Sequence, residues 1–173
     1  GATEKIRLLT SILLTPFYHP LMLAKLTTTL DLASSGRLTL GIGVGGEFPA
    51  EYQAVGIDVK NRGRITNECL YLLRKLWSGT PITYQSKFFD LENVSINPPP
   101  YQTPNPPIWV AGRRDAAMKR AVKHGDGWLP YFYSPERYAD SVNKIKVIAE
   151  DESKSLDQFQ WGIFPYISIY PTV

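Results

Sequence analysis

Three places in this sequence gather residue types that could do chemistry. The first is Leu40-Gly-Ile-Gly-Val-Gly-Gly46, where closely spaced glycines follow an apolar run. With no Cβ in the way, such a backbone can come within contact distance of a flat ligand. The run also satisfies G-x-G-x-x-G. A dinucleotide cradle, however, wants a long helix opening from the third glycine and an acid about 20 residues on, and here Glu47-Phe48-Pro49 intervenes. A ligand-contacting turn is the better reading, and a glycine turn without ligand is the plain alternative. The second place is Ala111-Gly112-Arg113-Arg114-Asp115, where a strand hands over to a helix. Open backbone N–H groups and the positive end of a helix dipole make an anion site there. One arginine could fork onto phosphate oxygens; two solvated surface arginines are the alternative. The third is His19, between a strand end and Pro20 at a helix start. It could move a proton near neutral pH, or simply cap or pack. His124, before Gly125, suits the dipole at a helix C-terminus. Trp109 and Trp128 read as core fillers.

Composition narrows the classes. The 173 residues hold one cysteine and two histidines, which leaves no internal disulfide and no four-donor zinc set, so no metal is expected. Nineteen basic against sixteen acidic residues give +3, spread along the chain, and no nucleic-acid footprint is expected. No apolar run approaches the roughly 20 residues that span a bilayer, and no signal segment is evident. A cytoplasmic protein of one domain, 1–173, is the default expectation.

These residues need elements to position them. Lys5–Thr15 is an apolar run closed by Pro16, the pattern of a strand buried on both faces. From Pro20 a helix presents Leu23, Leu26, Leu30 and Ala33 on one side until Ser34-Ser35-Gly36 stops it. Arg37–Val44 reads as a strand. Ile65, Cys69, Leu72 and Leu76 mark a second helix ending at Ser78-Gly79. Residues 80–107 then hold half of the 14 prolines and form an ordered insertion, with Lys87–Val94 as a short hairpin strand. Pro107–Gly112 resumes the strands, followed by a helix from Asp115 to about His124, capped by Asp115 itself. The strand Asp126–Tyr131, a helix from Pro135 with Tyr138, Val142, Ile145 and Ala149 inward, and a strand from Gln158 to Tyr170 complete the order. Five strands alternate with four helices, which implies an α/β fold with a parallel sheet and helices outside it. An open doubly wound sheet and an eight-stranded barrel compete, and the chain holds about five βα units.

At this point the chain resembles the bacterial-luciferase-like superfamily of flavin- or deazaflavin-dependent oxidoreductases. The resemblance is carried by His19-Pro-Leu-Met-Leu-Ala-Lys25, by Thr29-Leu-Asp-Leu-Ala-Ser-Ser-Gly-Arg-Leu-Thr-Leu-Gly-Ile-Gly-Val-Gly-Gly46 and by Glu51-Tyr-Gln-Ala-Val-Gly56. Arg62 with Glu68, Leu76-Trp77, Pro98 to Pro107 leading into Ile108–Gly112, and Gly125-Asp-Gly-Trp128 add to it. It implies a (β/α)8 TIM-type barrel, here partial, running from about the third strand to about the seventh. Open sheet edges would then call for a homodimer or higher oligomer.

The resemblance also implies residue roles. A non-proline cis peptide at Ser11-Ile12 would press on a flavin ring, Gly43, Val44 and Gly45 would line that ring, and Gly112, Arg113, Arg114 and Asp115 would hold the phosphate. FMN and coenzyme F420 both stay open as the cofactor. Some deazaflavin-using members carry an acid where Val44 stands, and Glu47 is the nearby substitute. The cofactor would supply a hydride or activate oxygen toward a small organic substrate, with His19 as the candidate catalytic proton carrier and the proline-rich insertion folded over the mouth. A non-catalytic flavin-binding or scaffold protein is the alternative.

Overall fold

The computed structural model describes residues 2–169 of the chain. It forms two compact units divided between Ile108 and Trp109. In the first, β1 (Leu8–Leu9) and β2 (Leu13–Leu14) both run parallel to β3 (Leu38–Gly43). The register pairs Leu9 with Thr39 and Leu13 with Ile42. Four residue steps on one side therefore face three on the other, which is a one-residue bulge at Thr10–Ile12. The expected single strand over Lys5–Thr15 is thus two short strands around a bulge. Nor is it buried on both faces. Among the described residues β3 is its sole strand partner, so Ile6 and Leu9 stay 65% and 40% exposed. β3, by contrast, is buried along its whole length, and its Leu40 N–H donates to Pro107 O at 2.8 Å.

Helix α1 (Pro20–Ala33) opens on proline and closes where expected, with Gly36 at φ +78° donating its N–H to Asp31 O. Its buried side is not the expected one. Leu23, Thr27 and Asp31 face inward, while Leu26 and Leu30 are exposed and so is Ala33. The shift is one residue, about 100° around the helix. Polar groups with partners cause it: Thr27 Oγ1 donates to Leu23 O at 2.7 Å and accepts from Trp77 Nε1 at 3.2 Å. The fully buried Asp31 carboxylate takes Gln102 N at 2.9 Å and Gln102 Nε2 at 2.7 Å. The same Nε2 donates to Leu38 O, and Arg7 donates to Gln102 Oε1. One glutamine of the proline-rich segment is thereby tied to α1, β3 and the approach to β1.

A short helix unread in the sequence, α2 (Pro49–Ala54), follows β3 and buries Tyr52. Helix α3 (Arg62–Trp77) buries Ile65, Cys69, Leu72 and Leu76 as their spacing predicts. The insertion contains a complete antiparallel hairpin, β4 (Ile82–Gln85) with β5 (Asp90–Val94), where the sequence suggested one strand.

In the second unit β6 (Ile108–Ala111), β7 (Gly127–Leu129) and β8 (Gln160–Trp161) are parallel neighbours, with α4 (Asp115–His124) and α5 (Pro135–Asp151) between them. Strand β8 is much shorter than the expected run from Gln158. Beyond it Phe164 makes a single bridge to Tyr131, the exposed residues that follow have no face to bury, and Tyr170 lies outside the described residues. Asp115 does not cap α4. It is the first helical residue, the capping position is Arg114 without a side-chain bond, and the Asp115 carboxylate lies 3.6 Å from Lys144 Nζ. Trp128 is a fully buried core residue; Trp109 is half-buried and donates its ring N–H to Gln160. The C-terminal end of α4 is closed by Lys154, whose ammonium donates to Val122 O and Gly125 O.

Two outcomes follow from this packing. Gln102→Ala strips one donor from the buried Asp31 carboxylate and one from Leu38 O, and is expected to cost about 1–3 kcal/mol in urea unfolding. Burial pushes the Cys69 thiol up to about 12, so Ellman's reagent should leave it untouched in the native state and label it only on unfolding.

Candidate functional site

In the first unit the structure brings Ser11, Ile12 and the glycine run together. The Ser11–Ile12 peptide bond is cis. Thr10 Oγ1 donates to Gly41 O at 2.7 Å, and a Cβ added at Gly41 would lie 2.0 Å from Thr10 O. One placed on Gly43 would lie 2.2 Å from Ile12 Cδ1. The bulge can therefore sit against β3 because glycines face it. Beyond β3 the chain turns through Gly45 at φ +57° and Gly46 at φ +115°, conformations that disfavour L side chains.

Two residues that sequence reasoning left without a role hold this turn in place. Tyr52 donates its hydroxyl to Val44 O, and Arg62 donates Nε to Gly45 O at 3.2 Å and Nη1 to Val59 O at 2.7 Å. Both lie in segments that carried the family resemblance, but no spacing rule links them to residues 44 and 45. Burial pushes the Tyr52 phenol above its ordinary value; Arg62 pulls it partly back, and Glu47 and Glu51 push it up again. The phenol therefore keeps its proton and stays a donor at neutral pH. Glu47 itself is exposed.

His19 is the N-cap of α1, where its Nδ1 accepts from Leu21 N–H at 3.3 Å. With Nδ1 an acceptor, the neutral ring carries its proton on Nε2. The Phe89 ring meets it edge-on at 5.7 Å between centroids.

Gly112, Arg113, Arg114 and Asp115 form a separate cluster in the second unit. Gly112 O accepts from Trp128 Nε1 at 2.9 Å and Arg113 O from Tyr133 Oη at 3.2 Å. The carbonyls of the turn are thus occupied. At the start of α4 the Ala117 N–H bonds back to Arg114 O at 2.8 Å, whereas the N–H groups before it have no intrahelical acceptor and Arg114 supplies no side-chain one. What the turn offers is donors. Gly112 has φ +130°, and a Cβ there would lie 2.7 Å from that of Ala117. The Arg113 guanidinium lies over the Tyr131 ring at 4.6 Å, whereas Arg114 is exposed at the mouth of the turn. Among the described residues no group of three or more His, Cys, Asp or Glu could hold a metal ion, and no helix is long and apolar enough to cross a membrane.

Comparison with known proteins bears on what this arrangement is for. The family model described as luciferase-like monooxygenase matches residues 1–172. The chain belongs to the luciferase-like monooxygenase family. The oxygenase component of a flavin-dependent trigonelline monooxygenase from Acinetobacter baylyi is 35% identical over 124 residues, which are 71% of this chain and 34% of that protein. The monooxygenase RslO1 from Streptomyces bottropensis superposes with a TM-score of 0.81 at 26% identity, covering 93% of this chain and 50% of its own. The coenzyme F420 dependent tetrahydromethanopterin reductase from Methanopyrus kandleri shares the fold at 22% identity and a TM-score of 0.80, over 94% of this chain and 50% of its own. The luciferase-like chain described here thus has the α/β-barrel fold class of that family and spans half or less of the length of these relatives. They include both flavin- and F420-dependent enzymes, in keeping with either cofactor.

Two substitutions test the local geometry. Gly112→Ala should destabilise the protein by about 1–3 kcal/mol, the usual cost of a side chain in such a backbone region, read as a fall in melting temperature. For Tyr52 the folded form holds its proton more tightly than the unfolded chain. Its contribution is complete below the ordinary tyrosine value of about 10 and is lost as pH rises through the raised value. Tyr52→Phe should lower stability at neutral pH while flattening this alkaline decline, measured by melting temperature from pH 8 to 11.

Proposed function

We propose that this chain binds FMN or coenzyme F420 as part of a luciferase-like oxidoreductase acting on a small organic substrate. The observation that carries the reading is the turn at Gly112–Asp115, whose carbonyls are consumed by Trp128 and Tyr133 while its amides stay open. A turn that presents donors alone, at the positive end of a ten-residue helix, selects an anion such as a phosphate monoester. Arg114 would add a guanidinium to that anion, and Asp115 would contribute its backbone N–H, because its carboxylate faces Lys144. Ser11, Ile12 and Gly43 to Gly45 would pack the ring system, a reading supported by the cis peptide and the glycine run lying side by side at the end of β3. When bound, the cofactor supplies a hydride or activates oxygen. The chain's own share is to grip the phosphate, press the ring and shield it from water, with His19 delivering or accepting a proton at Nε2.

We also read the protein as a cytoplasmic homo-oligomer. The edge formed by β1 and β2 supports self-association, since Ile6 and Leu9 are exposed along it.

Fluorescence titration tests the reading. FMN or F420 should bind at micromolar concentration, and FMN should bind at least tenfold more tightly than riboflavin, which lacks the phosphate. Arg114→Ala should cost FMN about tenfold, or ~1.4 kcal/mol, and leave riboflavin unchanged. A folded protein that binds neither cofactor refutes the proposal and favours a scaffold role.

A further inference from the structure

The β4–β5 hairpin does more than fill an insertion. Residues 71, 68 and 64 lie along one side of α3, and residues 84, 86 and 88 follow one another at alternate positions of the hairpin. They meet in order. Tyr71 and Tyr84 have ring centroids 5.9 Å apart, Ser86 Oγ donates to Glu68 Oε2 at 2.6 Å, and the Arg64 guanidinium lies 5.5 Å from the Phe88 ring. A helical step of three or four residues matches a strand step of two, so the hairpin climbs α3 toward its N-terminal end. Its tip is fixed by Ser86, whose hydroxyl also accepts from the N–H groups of Phe88 and Phe89 at 3.0 and 3.1 Å. That turn sets the buried Phe89 against His19 and leaves the neighbouring Phe88 at the rim.

The charges at this rim are unbalanced. Arg64 sits in the first turn of α3, where the helix dipole disfavours cations and where no acidic residue stands. Lys87 Nζ approaches the same Phe88 ring at 5.9 Å. Arg62, also in that first turn, is accounted for by the carbonyls of Gly45 and Val59, whereas Arg64 and Lys87 are exposed and form no ion pair among the described residues. Glu68, one turn along α3 from Arg64, is engaged by the Ser86 hydroxyl and by the Tyr84 phenol, whose value burial and then Glu68 raise. Asp90 and Glu92, the other acids of the hairpin, pair with neither cation. The ring face gives these cations partial compensation only.

The geometry points to Arg64 and Lys87, carried on Phe88 next to the Phe89 that packs on His19, as the recognition element for the anionic end of a substrate bearing a carboxylate or sulfonate. The assignment of this rim as the substrate entrance rests on the oxidoreductase reading; the anion preference rests on the charges themselves. A carboxylate or sulfonate would sit between the two cations at the edge of the Phe88 ring.

The test uses benzoate as the probe and benzamide as its neutral counterpart, titrated into the 15N-labelled protein and followed by NMR. Benzoate should shift the Arg64 Nε–H signal together with the Lys87, Phe88 and Phe89 amides, and bind at least fivefold more tightly than benzamide. R64Q should weaken benzoate at least fivefold, and R64Q/K87Q should abolish the preference over benzamide. Lys146→Gln, an exposed change on α5, should leave both unchanged, and melting temperatures confirm that each variant is folded. Equal binding of benzoate and benzamide, shifts confined to other residues, or an undiminished preference in folded R64Q/K87Q would overturn the inference. The FMN titration described above is read separately: its failure removes the oxidoreductase reading, whereas failure of the benzoate series removes only the anion preference.

Discussion

The first unit depends on how closely two strands are allowed to approach. At Gly41 and Gly43 the neighbouring segment comes so near that a methyl group would collide with Thr10 O or with the end of Ile12. That closeness lets one extra residue be absorbed at Thr10–Ile12 and lets the chain resume parallel pairing at Leu13. A conventional strand with alternating side chains would pair more regularly but would not admit the bulge. The regularity given up there is offset by the burial of β3 and by the Gln102 side chain, which bonds the Asp31 carboxylate, the Leu38 carbonyl and the Arg7 guanidinium.

The turns after β3 and β6 are held in the same way. After β3, donors from outside, Tyr52 and Arg62, occupy the carbonyls of Val44 and Gly45 and hold positive-φ glycines in place. After β6, Trp128 and Tyr133 occupy the carbonyls of Gly112 and Arg113. In both turns the acceptors are consumed by large, partly or fully buried side chains. A backbone whose carbonyls are already bonded has little reason to rotate, so its remaining amides keep their direction before any ligand arrives. The turns are thereby preorganised by aromatic and guanidinium groups.

The hairpin shows why an insertion can be ordered without adding to the sheet. Among the described residues it pairs only within itself, and its alternate residues meet α3 at Tyr71, Glu68 and Arg64. The result places Phe89 against His19 from seventy residues away in sequence.

Much was legible in the residues alone. The alternation of the main strands and helices, the limits of α1 and α4, the end of α3, the glycine-bearing strand end and the arginine turn follow from short-range rules, because proline, glycine and apolar periodicity act within a few residues. The family resemblance located the Ser11–Ile12 peptide. Three things were decided only in three dimensions: which side of α1 is buried, where the first strand is interrupted, and which side chains hold the two turns. Thr27 and Asp31 turn inward because Trp77 and Gln102, fifty and seventy-one positions away, offer them partners; a periodicity count treats both as solvent-facing. Sequence determines what each short stretch can bury or donate, but a polar group is buried or exposed according to the partner that distant chain brings to it.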